Sequence, residues 1–358
     1  MSGIEKEVVI LKKTDFKPST KGYRVVGAFN PGVLKLKNGD YLIYVRIAEK
    51  PKIWRKDGYY YSPRFVGNKE FKLKLDRFSK KEIAHLNGSS GFNLHDGTAR
   101  LTTISHLRRV YVDKDGFTIK KIEQEPAFYG TAKYGELGIE DPRITKIKGR
   151  YIMTYVSLSK FNSISTACAI SETGRKWHRE GIIFRHQNKD VVLFPEKIKG
   201  KYVAFHRPEG NLDFSLPHMW ISYSKDLEYW GEDKSVLISE RAWDSSRVGA
   251  GAPPIKIKQG WLEFYHGVKF NEKDEKLYCA GIALFDLNKP NKLLARSPQP
   301  FLVPHLKKET NGFMKNVLFP TAAFLDKDSI FLYSGGADEV VIFRKINLKF
   351  VLDHLKKC

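Results

Sequence analysis

The sequence has few cysteines, and their spacing does not suggest a disulfide framework. Its three cysteines are Cys168, Cys279 and Cys358, which is an odd number. Cys168 and Cys279 stand in apolar, strand-like runs, where a thiol behaves as a small core residue. These features argue against a disulfide-stapled secreted domain. We therefore expect a cytoplasmic protein without disulfides.

Segments that would lead the chain into or across a membrane are also missing. No apolar run reaches the roughly 20 residues that a membrane-spanning helix needs. The first residues, MSGIEKEVVILKK, lack the apolar stretch and the small-residue cleavage site of a secretory signal. The sequence therefore predicts no membrane partner.

Motifs for metal, nucleotide and serine-nucleophile chemistry are absent as well. The ten histidines show no HExxH or other paired spacing. There is no GxSxG elbow, phosphate-binding P-loop or dinucleotide fingerprint. No RRM signature, zinc finger or helix-turn-helix pattern is found. We expect neither a metal nor an organic cofactor.

The charge of the chain is strongly one-sided. Lysine and arginine number 62 against 40 acidic residues, for a formal net charge of +22. Such a balance suits nucleic acid, an anionic membrane or an acidic substrate, but it also describes an ordinary solvated surface. Because lysine is spread over the whole sequence, we favour the solvated surface and do not expect a nucleic-acid partner.

Aromatic residues make up 13% of the chain, and β-branched residues recur in short runs, which favours strands. Five segments then repeat one pattern: a proline, an alternating strand, a turn on Gly or Asp, and a more apolar strand. This is the pattern of a β-hairpin. The segments are NPGVLKLKNGDYLIYVR (30–46), DPRITKIKGRYIMTYVS (141–157), FPEKIKGKYVAFHR (194–207), PPIKIKQGWLEFYHG (253–267) and FPTAAFLDKDSIFLYSGG (319–336).

Further strand pairs, joined by turns such as SETGRKW (171–177) and SKDLEYW (224–230), lie between the hairpins. One hairpin plus one such pair makes a four-stranded blade. We therefore predict a single all-β domain over residues 1–358, a five-bladed β-propeller.

The interval between the first and second hairpins is longer than the others, which indicates an insertion at about 49–98, suited to a lid or an oligomer contact. The C-terminal KINLKFVLDHLKKC should pair back with the first blade or form a short helix.

In a propeller, equivalent positions of the repeats converge at one mouth of the central channel. One such position precedes the proline and holds Asn30, Asp141, Phe194, Pro253 and Phe319. The other ends the second strand and holds Arg46, Ser157, Arg207, His266 and Ser334. Cationic and imidazole groups around Asp141 predict a site for an anion together with an acid.

The sequence also contains seven ordered motifs, several of which include these residues, and by these motifs it resembles glycoside hydrolase family 130. The motifs are FNPGV (29–33), GIEDPRIT (138–145), NKDVVLFPEKIKGKYVAFHRP (188–208), VGAGAPP (248–254), GWLEFYHGV (260–268), YCAGIALFDLNKP (278–290) and YSGGADEVV (333–341). The resemblance implies a five-bladed propeller. It also implies a β-mannoside phosphorylase acting on mannosyl-glucose or on β-1,2- or β-1,4-linked manno-oligosaccharides, with inorganic phosphate as co-substrate.

The resemblance also implies roles for individual residues. Asp141 matches the family's catalytic acid, which passes its proton to the glycosidic oxygen through a sugar hydroxyl. The residues that match positions holding the mannosyl ring are Asn30, Arg46, Phe319 and Asp338. Those that match the phosphate site are Lys189, Arg207 and His266. Lys189 stands where relatives often have arginine, so it keeps the charge but lacks the bidentate fork.

Phosphate is already a nucleophilic anion, so a phosphorylase needs cations to hold it but no general base. A hydrolase of the inverting type needs an acid and a base around a water molecule. The basic set therefore favours phosphorolysis, with inversion to α-mannose 1-phosphate. Two alternatives stay open: a β-mannosidase with Glu140, Glu196 or Glu263 as base, and a non-catalytic binder of carbohydrate or nucleic acid. Homo-oligomerisation, the linkage and the acceptor sugar are also open.

Overall fold

The chain is built almost wholly from β-strands. The computed structural model describes residues 3–185, 187–209, 214–239, 242–271 and 275–358. The prediction of an all-β protein is confirmed. Within these ranges, helical structure is confined to 3-10 turns at Lys13–Asp15 and Lys80–Glu82 and to α1 (Lys307–Thr310) and α2 (Leu348–Asp353). None of the helices in the same ranges is long and apolar enough to cross a membrane.

The strands are numbered in chain order. Those of residues 4–122 are β1 (Ile4–Lys12), β2 (Tyr23–Lys35), β3 (Tyr41–Pro51), β4 (Arg55–Lys56), β5 (Tyr59–Phe65), β6 (Leu73–Ser79), β7 (Ile83–Asn87), β8 (Gly91–Leu94), β9 (Ala99–Leu101), β10 (Ile104–Val112) and β11 (Ile119–Ile122). Those of residues 138–237 are β12 (Gly138–Ile147), β13 (Arg150–Ser159), β14 (Ser163–Ser171), β15 (His178–Phe184), β16 (Asn188–Leu193), β17 (Tyr202–Pro208), β18 (Met219–Ser224) and β19 (Gly231–Leu237). The remaining strands are β20 (Arg247–Ala250), β21 (Ile255–Ile257), β22 (Gly260–Phe270), β23 (Lys276–Phe285), β24 (Leu293–Arg296), β25 (Leu318–Asp326), β26 (Ser329–Gly336), β27 (Val340–Asn347) and β28 (Lys356–Lys357).

Hydrogen bonds join most of these strands into five larger antiparallel sheets of the described chain. Their strand orders are β2-β3-β10-β11, β12-β13-β14-β15, β16-β17-β18-β19, β20-β22-β23-β24-β28 with β21 beside β22, and β25-β26-β27-β1. Four of the five predicted hairpins are confirmed, each beginning a sheet. The third, predicted over 194–207, is confirmed only for its second strand, because β17 pairs with β16, which ends at Leu193 before the predicted segment begins. The expectation for the C-terminus was right about a short helix, α2. The alternative, that the C-terminal segment pairs with the first sheet, was wrong. Strand β28 pairs with β24, and it is the N-terminal strand β1 that completes the last sheet.

The first strands of the five sheets contact one another in a cycle. Strand β2 contacts β12 and β25, β12 contacts β16, β16 contacts β20, and β21 and β22 contact β25. Neighbouring sheets bury apolar side chains between their faces. In β3, Tyr41, Ile43 and Val45 pack toward the last sheet, while Leu42 and Tyr44 pack toward the next. Since strand side chains alternate between faces, this double burial explains the continuous apolar run YLIYV.

The segment between β3 and β10 forms two small three-stranded sheets, β4-β5-β6 and β7-β8-β9, while β3 and β10 pair directly with each other. Its aromatic side chains pack on one another rather than into a cavity. The Tyr60 ring lies 6.1 Å from Trp54 and 5.9 Å from Phe92, measured between ring centres. Hydrogen bonds that join the segment to the rest of the protein include those from the Phe65 N–H to the Glu136 carbonyl and from the Ala132 N–H to the Gly67 carbonyl.

Arg344 of β27 ties three separate parts of the chain together and leads to a stability prediction. Its guanidinium bonds Glu7 of β1 at 2.6 Å, Glu309 of α1 at 2.6 Å and Ser334 of β26 at 3.0 Å, and it is fully buried. Arg344→Ala would remove the guanidinium from the buried Glu309 carboxylate, which would keep only the donors on its other oxygen, from His305 and Leu306. We expect a loss of about 3–5 kcal/mol in the free energy of unfolding, measured by urea denaturation.

The neighbouring Lys345 is the matched control, because it also joins β27 to β1. Its ammonium pairs with Glu5 at 2.8 Å, but both side chains are more than a third exposed. Lys345→Ala should therefore cost less than about 1 kcal/mol. Equal losses for the two variants would contradict the view that burial gives the Arg344 network its importance.

Candidate active site

A cavity of about 260 Å³ lies where the first two strands of the sheets come together. Its walls are strongly polar and carry charges of both signs. The lining residues are Asn30, Arg46, Glu140, Asp141, Lys189, Asp190, Arg207, Glu209, Arg247, His266, Tyr278, Met314, Val317, Phe319 and Asp338. All eight residues to which the resemblance assigned a role are among them, whereas four others from the convergent repeat positions are not: Ser157, Phe194, Pro253 and Ser334. The roles assigned to those residues stay predictions, but the convergence of the residues is a structural fact.

Three side chains reach the cavity from the same kind of backbone irregularity. In β2, β12 and β16 the pairing register shifts just after Phe29, Glu140 and Lys189. The next residue in each strand is Asn30, Asp141 or Asp190, with φ of 44°, 49° and 55°. Asn and Asp tolerate this left-handed region better than other residues with side chains. Each bulge re-aims one polar side chain at the cavity.

The register of β16 corrects one position in the predicted matching of the repeats. The sequence placed Phe194 in register with Asn30 and Asp141, because a proline follows each of the three. The structure puts Asp190 at that position instead, and Phe194 is buried against Phe205 and Trp261. Asp190 escaped notice because valine, not proline, follows it. The sequence signal that could have identified Asp190 was its separation from the turn at Gly200 by about the length of one strand.

On one side of the cavity, Asp141 is held by two donors. Asn30 Nδ2 and Arg46 Nη1 each donate to its Oδ1 at 2.9 Å. Arg46 Nη2 also pairs with Glu140 at 2.5 Å, and its Nε donates to Ser105 at 3.1 Å. Gly335 lies beside this group, where a Cβ would stand 1.9 Å from Asn30 Oδ1. The glycine therefore permits the close packing of Asn30.

The charge state of Asp141 is set by these neighbours. Burial by itself raises the pKa of the carboxyl, but the Arg46 and Arg143 guanidiniums, the Asn30 hydrogen bond and the Lys189 charge outweigh it and lower the pKa below the ordinary value. Arg143 is buried beneath the site, where it donates to the Gly251 carbonyl at 2.5 Å. The unliganded site therefore holds Asp141 as an anion at neutral pH.

Asp338 has the opposite character, although it lines the same cavity. It lies in the turn between β26 and β27 with φ of 55°. Burial, together with the nearby charges of Asp141 and Glu140, raises its pKa to about 7, against the partial relief of Arg46 and Lys189. One wall therefore carries two aspartates whose proton affinities differ widely.

The other side of the cavity is built around Arg207. Its Nε donates to Asp190 Oδ2 at 2.7 Å, and its Nη1 donates to Glu209 Oε1. Arg247 Nη1 donates to the same Glu209 oxygen at 2.9 Å. A Cβ on Gly249 would lie 2.6 Å from Asp190 Oδ2 and 2.9 Å from Arg207 Nε. The glycine of VGAGAPP thus makes room for the charged cluster.

His266, Phe319 and Lys189 complete this side. Burial and the charges of the surrounding arginines lower the pKa of His266 to about 4, although Asp190 opposes the shift. His266 is therefore a neutral imidazole, suited to hydrogen bonding rather than to supplying charge. Its ring lies 4.6 Å from the Phe319 ring, and Phe319 also contacts the Arg143 guanidinium at 5.3 Å. Lys189 pairs directly opposite Arg207 in the β16–β17 ladder.

The carboxylates considered as a hydrolytic base occupy three different environments. Glu140 lines the cavity and is engaged by Arg46. Glu196 pairs with Lys256 at 2.6 Å on the surface. Glu263 is fully buried, accepts the Gly251 N–H at 3.0 Å, and has a pKa well above its ordinary value because of that burial. Of the three, Glu140 is the one that faces the cavity.

Several cavity residues were not found from the sequence, namely Asp190, Glu209, Arg247, Tyr278, Met314 and Val317. Arg247 directly precedes the VGAGAPP motif, and Glu209 directly follows the motif that ends at Pro208, so both stand just outside the recognised patterns. Among the residues that the structure describes, no group of three or more His, Cys, Asp or Glu side chains could hold a metal ion.

Comparison with known proteins agrees with these motifs. Residues 102–357 match the family model Glyco_hydro_130, described as beta-1,4-mannooligosaccharide phosphorylase. A beta-1,2-mannobiose phosphorylase of Listeria innocua is 34% identical over 359 residues, which is 97% of this chain and 96% of that protein. A 1,2-beta-oligomannan phosphorylase of Thermoanaerobacter sp. is 39% identical over 233 residues, covering 64% of this chain and 75% of that protein.

A solved structure gives the same result in three dimensions. The beta-1,2-mannobiose phosphorylase of Listeria innocua, in complex with beta-1,2-mannobiose, is similar to this chain with a TM-score of 0.85. The similarity covers 96% of each chain at 33% sequence identity.

The raised pKa of Asp338 predicts a pH-dependent stability. The folded protein holds the proton of this carboxyl up to about pH 7, whereas the unfolded chain releases it near its ordinary value of 3.8. The free energy of unfolding should therefore fall as pH rises between these values. Asp338→Asn removes this contribution. Between pH 5 and pH 8 the variant should lose roughly 1–3 kcal/mol less than the wild type, measured by urea denaturation. Parallel pH profiles would contradict this.

Proposed function

The chain belongs to glycoside hydrolase family 130, and we propose that it catalyses the inverting phosphorolysis of a β-mannoside to α-mannose 1-phosphate. One observation carries the proposal: a single cavity holds a carboxyl group, Asp141, together with the cations Lys189, Arg207 and Arg247. The mannosyl carbon would lie between the two, with the bond to break toward Asp141 and phosphate on the other side.

We further propose that the five larger sheets are the blades of one five-bladed propeller formed by residues 1–358. The cyclic contacts of the first strands support this arrangement, and so does the pairing of β1 with the last sheet, which joins the two ends of the chain. In such a ring the cavity is one mouth of the central channel. The insertion predicted at about 49–98 then lies outside the ring, in the segment between β3 and β10.

The phosphate would bind to Lys189, Arg207 and His266. Arg207 offers guanidinium donors that suit a planar arrangement of two phosphate oxygens, and Lys189 offers a point charge. His266 is neutral, so it contributes a hydrogen bond. These cations gather and aim an anion that is already nucleophilic. The phosphate oxygen attacks C1 of the mannosyl unit from the side opposite to the leaving group, which inverts the anomeric configuration.

The leaving-group oxygen receives its proton from Asp141, through a hydroxyl of the sugar. In the unliganded cavity Asn30 and Arg46 both donate to Oδ1, so Oδ2 of Asp141 is the oxygen offered to the substrate. A phosphate dianion entering the same cavity raises the pKa of Asp141, because a nearby like charge favours the protonated form. The C1–O bond to the acceptor breaks, the C1–O bond to phosphate forms, and the proton reaches the released hydroxyl.

The mannosyl ring would be held by Asn30, Arg46, Phe319 and Asp338. Phe319 presents an aromatic ring that is fixed between His266 and Arg143, and sugars stack on such rings. Asp338, whose pKa is about 7, can both donate and accept hydrogen bonds to sugar hydroxyls near neutral pH. No metal or organic cofactor is needed for this reaction, because phosphate is the nucleophile.

The substrate we propose first is β-1,2-mannobiose. The relative that matches nearly the full length of this chain, including the segment between β3 and β10, is a beta-1,2-mannobiose phosphorylase. Longer β-1,2-linked oligomannans are the next candidate, from the Thermoanaerobacter relative. β-1,4-Linked manno-oligosaccharides and mannosyl-glucose belong to the same test as comparison substrates.

We also propose that the enzyme works in the cytoplasm. Cys168 and Cys279 are free, buried thiols, and burial raises the pKa of each to about 12, which makes them unreactive core residues. The exposed Cys358 is also a free thiol.

The first test is an assay of the purified protein with each disaccharide, with and without phosphate. We expect phosphate-dependent formation of mannose 1-phosphate, greatest with β-1,2-mannobiose. Asp141→Asn should lower the rate by at least about 10²–10⁴-fold, because the leaving group then departs without a proton. Glu196→Gln is the control at an exposed carboxylate and should keep the wild-type rate. Free mannose released without phosphate would make the enzyme a hydrolase and refute the proposal.

A second test separates the phosphate wall from the sugar wall. Lys189→Ala removes one cation from the phosphate site, so the KM for phosphate should rise about tenfold. The KM for β-1,2-mannobiose should change much less. Lys201→Ala, which removes a lysine paired with Glu232 at the surface, is the control and should alter neither value. A rise confined to the KM for the disaccharide would move Lys189 to the sugar site.

A further inference from the structure

The phosphate wall contains a carboxylate for which the reaction has no use. Glu209 lies one residue beyond β17, and its Oε1 accepts hydrogen bonds from Arg207 Nη1 and from Arg247 Nη1, the latter at 2.9 Å. One carboxylate oxygen is thus shared by two guanidiniums. An oxygen of a bound phosphate would make the same pair of contacts.

Arg207 has little freedom to accept a second anion while these contacts persist. Its side chain is almost fully buried, its Nε is engaged by Asp190, and its Nη1 is engaged by Glu209. Nη2 is the nitrogen that neither carboxylate engages, so a phosphate that contacts two nitrogens of Arg207 must take one of them from Asp190 or Glu209.

Asp190 is the carboxylate that is fixed in place. It lies within β16 at a bulge, its side chain is 5% exposed, and His266 Nε2 faces its Oδ2 at 3.5 Å. Glu209 has a longer side chain, lies outside the strand, and is 17% exposed. Glu209 is therefore the one that can leave Arg207.

Arg247 can hold the Glu209 carboxylate after it leaves Arg207. Its side chain is 25% exposed, and within the described chain its buried Nε has no hydrogen-bond partner. Arg247 can consequently keep Glu209 on its own guanidinium when Arg207 is taken by another anion. The carboxylate then stays paired rather than becoming an isolated buried charge, which would be costly.

The charges of this wall also favour displacement of Glu209 from Arg207. The cations of this wall are Lys189, Arg207 and Arg247, and its carboxylates are Asp190 and Glu209. With Glu209 in place, two of the three positive charges are offset before phosphate arrives. When Glu209 moves away from Arg207, the guanidinium charge becomes available to the incoming phosphate. The repulsion between the Glu209 carboxylate and the phosphate also falls.

We propose that Glu209 is an internal substitute for phosphate: it occupies the phosphate contact of Arg207 in the unliganded enzyme and is displaced onto Arg247 when phosphate binds. This inference rests on the proposed phosphorylase function and adds a competitor within the same site. Its role is to keep Arg207 correctly oriented between turnovers, at the expense of affinity for phosphate. Glu209 acts as a competitor of the bound phosphate, not as a proton donor or acceptor.

The test is Glu209→Gln, which keeps the size of the side chain and removes its charge. If Glu209 competes with phosphate, the dissociation constant for inorganic phosphate should fall about tenfold, measured by titration calorimetry, and the KM for phosphate should fall with it. Glu209→Asp keeps the charge but withdraws the carboxylate by one methylene, so it should give a smaller change in the same direction. Glu232→Gln, at an exposed ion pair with Lys201, is the matched control and should bind phosphate as the wild type does.

The sign of the change decides between the possible roles of Glu209. If Glu209 only positions Arg207, its removal would weaken phosphate binding, and an unchanged or weaker affinity in folded Glu209→Gln overturns the proposal. That outcome leaves the proposed function intact as long as the wild type still makes mannose 1-phosphate. If the wild type neither binds phosphate nor makes mannose 1-phosphate, the proposed function fails, and the role of Glu209 fails with it.

Discussion

The charged groups of the cavity must be paired with one another, and much of the site follows from that constraint. Arg143, Arg207 and Asp190 are buried, and the side chains of Arg46 and Asp141 are only 15% and 14% exposed. A buried charge without a partner costs several kcal/mol, so each guanidinium here is held by a carboxylate or a carbonyl. The pairing divides the cavity into two clusters, one around Arg46 and the other around Arg207. The glycines at 249 and 335 give these clusters the space that a Cβ would otherwise fill.

The backbone device that brings these charges together is the β-bulge. A regular strand places successive side chains on its two faces, which here pack against neighbouring sheets. A bulge with a left-handed residue turns one side chain away from both faces and toward the strand end. Asn30, Asp141 and Asp190 do this in three consecutive sheets. The apolar packing between sheets can therefore remain continuous, while a polar side chain reaches the cavity from the middle of an otherwise buried strand.

Much of this arrangement could be predicted from the sequence, because repeats and turn residues are local signals. The turns at Gly39, Gly149 and Gly200 fix the hairpins, and the apolar run of β3 indicates a strand buried on both faces. Asp190 was missed because a bulge depends on register, and register is set by pairing with β17 rather than by a neighbouring proline. Glu209 and Arg247 were missed because nothing in their own segments marks them. Their contact with Arg207 joins residues that are distant in sequence and arises only when the sheets assemble.

The two clusters also account for how a site built from ion pairs can perform chemistry. In the unliganded cavity Arg46, Arg143 and Lys189 hold Asp141 as an anion, which is the wrong state for an acid. In the proposed mechanism, a phosphate dianion would draw on the same positive charges, Lys189 among them, and so would weaken the effect by which they keep Asp141 ionised. Binding of the nucleophile would thus prepare the proposed acid. Water would bring no negative charge and would leave Asp141 ionised, so in this proposal the electrostatics that favour phosphate also disfavour hydrolysis.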